Sequence, residues 1–211
     1  MAQSDRTVNL AGARVGCRCH VCALFDSRDD EYKILVPFMK EGLEAGDRTV
    51  HIIDKGRRAE RLQRLTESGI AATAAERCGR LEVRPWEKAY LQGGRFDQYA
   101  MVALLEEMLA TSRQQGFGVT RLWANMEWAL GECPGGHDLI EYESRLNYVL
   151  PNYDTVTVCT YDVTKFSAAV VTDVLRTHPQ VIVGGILREN PSYVPPDQFL
   201  HELSGRETTF R

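Results

Sequence analysis

The strongest constraint on this chain is the alternation of short apolar runs with longer stretches of helical period. HVCALF (20–25), RTVHIID (48–54), RLEVRP (80–85), VTRLWANMEWA (119–129), TVTVCTYD (155–162) and QVIVGGIL (180–187) read as strands. Several are near-continuous apolar runs, as expected for strands covered on both faces. Between them, EYKILVPFMKEGLEAG follows Asp29 or Asp30, either able to cap a helix that Gly46 stops. Pro37 should bend that helix or mark its start. RRAERLQRLTESG, residues 97–115, DLIEYESRLNYVL (138–150) and KFSAAVVTDVLRTH, capped by Thr164, continue the series, and NPSYVPPDQFLHEL ends it as a turn and short helix. This order specifies an α/β fold of three layers, a mostly parallel sheet flanked by helices.

A chain of 211 residues suits one buried core better than two. The expected division is an extension over 1–16, a domain over 17–190 and a tail over 191–211. The net charge of −4 comes from interleaved acids and bases. The short basic cluster Lys55, Arg57, Arg58, Arg61 and Arg64 reads as a solvated helix face, so no direct nucleic-acid partner is expected. No apolar stretch has the length of a membrane span, and the N-terminus lacks the core of a signal peptide. A cytoplasmic chain without a membrane partner is expected, with its six cysteines as thiols or ligands.

Open α/β sheets take their ligands at the carboxyl ends of the strands. Those ends should present Phe25, Asp26, Asp54, Glu127, Trp128, Tyr161, Asp162, Arg188 and Asn190. The first of these strands runs into DSRDDEY, with no G-x-x-x-x-G-K-[ST] and no glycine before Gly42. The phosphate loop is degenerate, and no nucleotide is expected. Hydrolase, metalloprotease and dinucleotide signatures are absent, so nothing in the chain requires catalysis.

Cys17, Cys19, His20 and Cys22 bring metal-ligating or redox-active atoms together in GCRCHVC. Strand alternation points His20 and Cys22 to one face, while Cys17 and Cys19 arrive from the preceding loop. Zinc or iron could use such donors; packing in the core is the plainer reading. Glu127 beside Trp128 suits a polar ligand group, or an ion pair with a nearby arginine. Glu143 and Asn147 share a helix face. Cys78, Cys133 and Cys159 are scattered, and His178 before Pro179 reads as a helix end.

HVCALF, DEYKILVPFMKEGLEAGDRTVHIID, RLWANMEWAL, EYESRLN, VCTYDVTKF and THPQVIVGGILRENPSYVPP follow one another from His20 to Pro196. As an ordered set they resemble the MEDS domain, the sensory domain of methanogens, methylotrophs and the dichloromethane-responsive regulator DcmR. The resemblance implies a RecA/KaiC-like fold that has lost its phosphate loop and a sensor of small hydrocarbon derivatives. On that reading a largely apolar ligand meets walls formed by Phe25, Tyr32, Trp128 and Tyr161 and polar contacts from His20, Cys22, Glu127 and Asn190. Binding would order residues 26–31, and the signal would pass to a regulatory protein partner; relatives of this fold often self-associate. The alternative is a metal or redox sensor at Cys17, Cys19, His20 and Cys22. Cys17 and Cys19 lie outside the family's strand-one pattern, so a four-ligand site would be this chain's own.

Overall fold

The computed structural model describes residues 6–209. It opens with a hairpin, β1 (Thr7–Leu10) and β2 (Ala13–Gly16). Ala11 at φ 49° and Gly12 at φ 77° form its two-residue turn, the twist that suits a tight hairpin. Residues 7–16 of the expected extension thus form a hairpin, and Val8, Leu10 and Val15 join the core.

The main sheet holds β3 (Cys19–Phe25), β4 (Arg48–Ile53), β5 (Leu81–Pro85), β6 (Thr120–Asn125), β7 (Thr155–Asp162), β8 (Gln180–Val183) and β9 (Ile186–Glu189). The helices are α1 (Arg28–Glu44), α2 (Arg58–Glu67), α3 (Ala72–Arg77), α4 (Gln98–Gln114), α5 (Leu139–Val149), α6 (Ala168–Thr177) and α7 (Pro196–Thr209). The strand order is β5-β4-β6-β7-β3-β8-β9. Every pairing is parallel except β8 with β9. The α/β expectation of a mostly parallel sheet between helical layers therefore holds.

Alternation along β3 divides the core. Cys19, Val21, Ala23 and Phe25 pack with Leu35 and Met39 of α1 and Leu65 of α2. Cys22 and the partly buried Leu24 pack on the opposite side, with Met101 and Leu105 of α4, Leu146 of α5 and Val174 of α6. The tail helix α7 packs on α5 and α6. Among the described residues, no helix is long and apolar enough to cross a membrane.

Local chemistry corrects several boundaries. QVIVGGIL is not one strand: Gly184 at φ 58° and Gly185 at φ 75° turn the chain back, and β9 runs antiparallel to β8. Ser27 caps α1 by accepting from Asp30 N at 3.2 Å, so neither Asp29 nor Asp30 is the cap. α1 also runs through Pro37 rather than starting there. Ser167, not Thr164, caps α6, because Asp162 Oδ1 takes Thr164 N at 3.0 Å and holds residues 162–164 in a turn.

Arg121 of β6 ties α1 to the sheet. Its Nε donates to Asp47 at 3.0 Å, Nη1 to the Phe38 carbonyl at 2.7 Å and Nη2 to Glu41 at 3.1 Å. Gly42 leaves room for it: a Cβ there would lie 2.6 Å from Arg121 Cδ and Nε. Alanine normally stabilises a helical glycine position by about 1 kcal/mol. Here Gly42→Ala should instead cost roughly 1–3 kcal/mol through overpacking against a tethered side chain. Urea denaturation checks the sign.

Candidate functional site

Only Asp26 and Ser27 separate β3 from α1, too short a connection to wrap a phosphate. The first turn of α1 carries Asp29, Asp30 and Glu31, so acidic side chains stand at the helix end that would otherwise favour an anion. Glu31 turns inward. Its Oε1 accepts from Trp123 Nε1 at 2.8 Å and Thr160 Oγ1 at 3.0 Å. Arg57 lies 3.5 Å and Arg61 3.8 Å from the same carboxylate. Arg61 also lies over the Trp123 ring, 3.3 Å from its centroid. The chain's own ionic network thus closes the carboxyl edge over β6 and β7.

An open cavity of about 580 Å³ lies beside this network, over the carboxyl ends of β3 and β8. Leu24, Phe25, Ile34, Val163 and Val183 give it apolar walls, and Asp26, Asp30 and Lys33 add charge. The Gly184–Gly185 turn borders it. A second groove of about 740 Å³ runs along residues 129–140 and 165–170.

A separate polar cluster lies deep on the α4–α6 face. His20 Nε2 is 3.2 Å from Glu143 Oε2, and His178 Nε2 is 3.4 Å from the same oxygen. Cys159 Sγ is 3.5 Å from that oxygen and 3.6 Å from His20 Nε2. Tyr161 donates to the other carboxylate oxygen at 2.7 Å. All of these residues are buried. Burial alone would raise the Glu143 carboxyl, but the two histidines outweigh it and hold the group below the usual carboxylate range. Burial, then repulsion from His178, pushes His20 down to about 4.

Of the eight residues expected to share one ligand pocket, Phe25, Glu127 and Tyr161 line one small pocket of about 10 Å³ at the carboxyl edge, and the others lie elsewhere. Phe25 alone of them lines the 580 Å³ cavity. His20 lies at the opposite end of β3, about 16 Å away at the usual strand rise. Cys22 is buried on the face away from α1. Trp128 stacks on Tyr90 with ring centroids 4.9 Å apart and meets Phe96 at 4.4 Å, inside the core. Tyr161 is held by Glu143, and Tyr32 packs against Trp123. Glu127 pairs with Lys165 at 2.7 Å and Arg57 at 3.5 Å. Asn190 follows the antiparallel β9 back to the amino end of β8, where it donates to the His178 carbonyl at 2.7 Å. Of the 26–31 segment expected to order on binding, residues 28–31 are already helical, started by the Ser27 cap.

The expected ligand run Cys17, Cys19, His20 and Cys22 is also split. Cys19 faces α1 and meets Gln180 Oε1 at 2.5 Å, whereas Cys22 faces the other helical layer. Cys17 sits part-exposed before β3. Only His20 belongs to the convergent group of His20, Glu143, Cys159 and His178. In sequence Cys159 reads as a scattered cysteine, although strand period puts it on one face of β7 with Thr157 and Tyr161. What strand period lacked was the pairing of Cys22 with Cys159.

A family model described as MEDS, the methanogen/methylotroph, DcmR sensory domain, matches residues 19–179. The transcriptional repressor DcmR of Methylorubrum extorquens is 29% identical over 170 residues, which are 80% of this chain and 61% of that protein. The chain therefore spans less than two thirds of that repressor's length. A solved KaiC-like protein from Pyrococcus horikoshii matches with a TM-score of 0.57 at 11% identity, covering 78% of this chain and 71% of that one. That likeness supports the RecA-like fold.

The buried ionic network and the thiols give two tests. Glu31→Gln removes the carboxylate shared by Arg57 and Arg61 and should cost roughly 3–5 kcal/mol, as breaking buried pairs does. Denaturant unfolding followed by tryptophan emission reads this directly. Burial pushes the Cys19 thiol up to about 12, leaving roughly one thiol in ten thousand ionised at pH 8. Burial also raises Cys22 and Cys159 well above the ordinary value. Iodoacetamide on the native protein should label exposed Cys78 and spare Cys19, Cys22 and Cys159, as peptide mapping would show.

Proposed function

This chain belongs to the MEDS family of sensory domains, and on that premise we propose that it detects a small, largely apolar molecule and passes that state to a regulatory protein. The 580 Å³ cavity at the end of β3 is the observation that carries this reading. It lies where folds of this kind take ligands, and its size suits a small-molecule site. Leu24, Phe25, Ile34, Val163 and Val183 suit a short hydrocarbon chain. Asp26, Asp30 and Lys33 suit a polar substituent on it.

Signalling follows from the cavity's boundaries. One wall is α1, fixed to the sheet through Glu31 and through Arg121 to Phe38 and Glu41. The opposing wall is the β8–β9 turn, at the edge of the sheet. A ligand that binds one spacing of these walls better shifts the population toward it. The exposed Val183 and Ile186 at that turn offer a partner a surface that would report the spacing. The similarity to a transcriptional repressor supports a regulatory partner.

Methyl-labelled protein titrated with short haloalkanes and alcohols tests the site. Chemical shifts should move first at Ile34, Val163 and Val183, and Ile34→Trp should abolish the response while the fold persists. Shifts centred on Leu130 and Ile140 that survive Ile34→Trp would move the site to the second groove and overturn this reading.

A further inference from the structure

His20, Glu143, Cys159 and His178 come from β3, α5, β7 and the end of α6, yet their ligand atoms all lie within 4.8 Å of one another. The hydrogen bonds around them fix where the imidazole protons sit. Asn147 Nδ2 faces the carbonyls of Glu143, Ser144 and Thr177, at 3.3, 3.1 and 2.7 Å. Its Oδ1 must therefore be the atom facing His20 Nδ1, 3.2 Å away, and His20 Nδ1 must donate. His178 Nδ1 faces the Val174 carbonyl at 2.7 Å and must donate as well.

In both neutral rings Nε2 is then a lone pair, and both lone pairs meet the same carboxylate oxygen. His178 Nε2 is fully buried without a hydrogen-bond partner. Such an arrangement lacks a positive charge at its centre. A single proton relieves one histidine and leaves the other facing the oxygen. Two protons place two imidazolium rings with centroids 4.0 Å apart in the core. A divalent cation meets all four donors together.

The distances fit that cation. Zinc bonds of about 2.0–2.3 Å in a tetrahedron put neighbouring ligand atoms roughly 3.3–3.8 Å apart. Four of the six separations are 3.2, 3.4, 3.5 and 3.6 Å, and the two that involve His178 with His20 and with Cys159 lie within 4.8 Å. One carboxylate, one thiolate and two neutral imidazoles also cancel the charge of a divalent ion, as a buried site requires.

We propose that His20, Glu143, Cys159 and His178 form a closed structural zinc site. Zinc binds Cys159 Sγ as the thiolate, and the thiol proton leaves to solvent. Asn147 and the Val174 carbonyl orient the histidines, and Tyr161 holds the oxygen of Glu143 that faces away from the metal. Four protein ligands leave no open position for catalysis, so the ion serves to join β3, β7, α5 and α6. The site is independent of the apolar cavity and of the Cys17–Cys19 segment.

The test uses the full chain, reduced and chelator-treated, titrated with zinc(II) and cobalt(II). Stoichiometric binding is expected, with a higher melting temperature, tetrahedral cobalt bands in visible absorption and a thiolate-to-cobalt charge-transfer band. Cys159→Ser should lose that band, whereas the Cys17→Ser/Cys19→Ser double variant should keep it. Asn147→Ala, which spares every ligand, should weaken zinc binding by about 10–100-fold, and it keeps the proposal testable if Cys159→Ser does not fold. Folded protein that takes up neither metal would overturn the site. So would a charge-transfer band that survives Cys159→Ser or disappears with Cys17 and Cys19, or zinc affinity unchanged by Asn147→Ala.

Discussion

A single buried carboxylate, Glu31, organises the carboxyl edge of the sheet. It sits in the first turn of α1 and reaches β6 through Trp123, β7 through Thr160, the turn before α2 through Arg57 and α2 itself through Arg61. A carboxylate in a core is costly unless paired and hydrogen-bonded. Here both conditions are met, and the arginines depend on it in return. In a nucleotide-binding relative this edge must stay open to phosphates. In this chain it is closed from within, and the open cavity lies beside it, over β3 and β8.

The sheet separates two different polar problems. On the α1–α2 face, charges pair across elements: Glu31 with its arginines, and Asp47 with Arg121. On the α4–α6 face, two histidines, the Cys159 thiol and the Tyr161 hydroxyl gather around Glu143. Strand β3 contributes to both layers because its successive side chains point opposite ways. Cys19 and Cys22, close in sequence, therefore answer to different surroundings.

Much of the fold was legible because its strands and helices carry clear periods. The main strands, their order in the chain and the absent phosphate loop could all be read from spacing and composition. The β1–β2 hairpin was not, because its turn is Ala11–Gly12 rather than the usual Asn-Gly or Asp-Gly signal. The Gly184–Gly185 turn was missed, because the apolar residues on both sides of it read as one continuous strand. The candidate sites were harder to read. Which residues meet depends on the pairing of β3 with β7 and on the side to which α5 crosses. Local spacing therefore favoured Cys17 through Cys22, while the assembled fold gathers residues 20, 143, 159 and 178. Glu143 and Asn147 had been placed on one helix face, but nothing local identified their target.

The two glycines between β8 and β9 have a further consequence. Gly185 lies against Ile34, where an added Cβ would be 3.3 Å from Ile34 Cδ1, so the turn rests on α1 without a side chain of its own to wedge there. It is also the end of an edge hairpin that pairs with the rest of the sheet only through β3. The cavity thus has a floor tied into the sheet and a rim held to the sheet along one side. On the proposed reading, such a chamber would discriminate weakly by girth: small displacements of one hairpin would admit guests of graded size, and breadth of recognition would follow from how the wall is anchored.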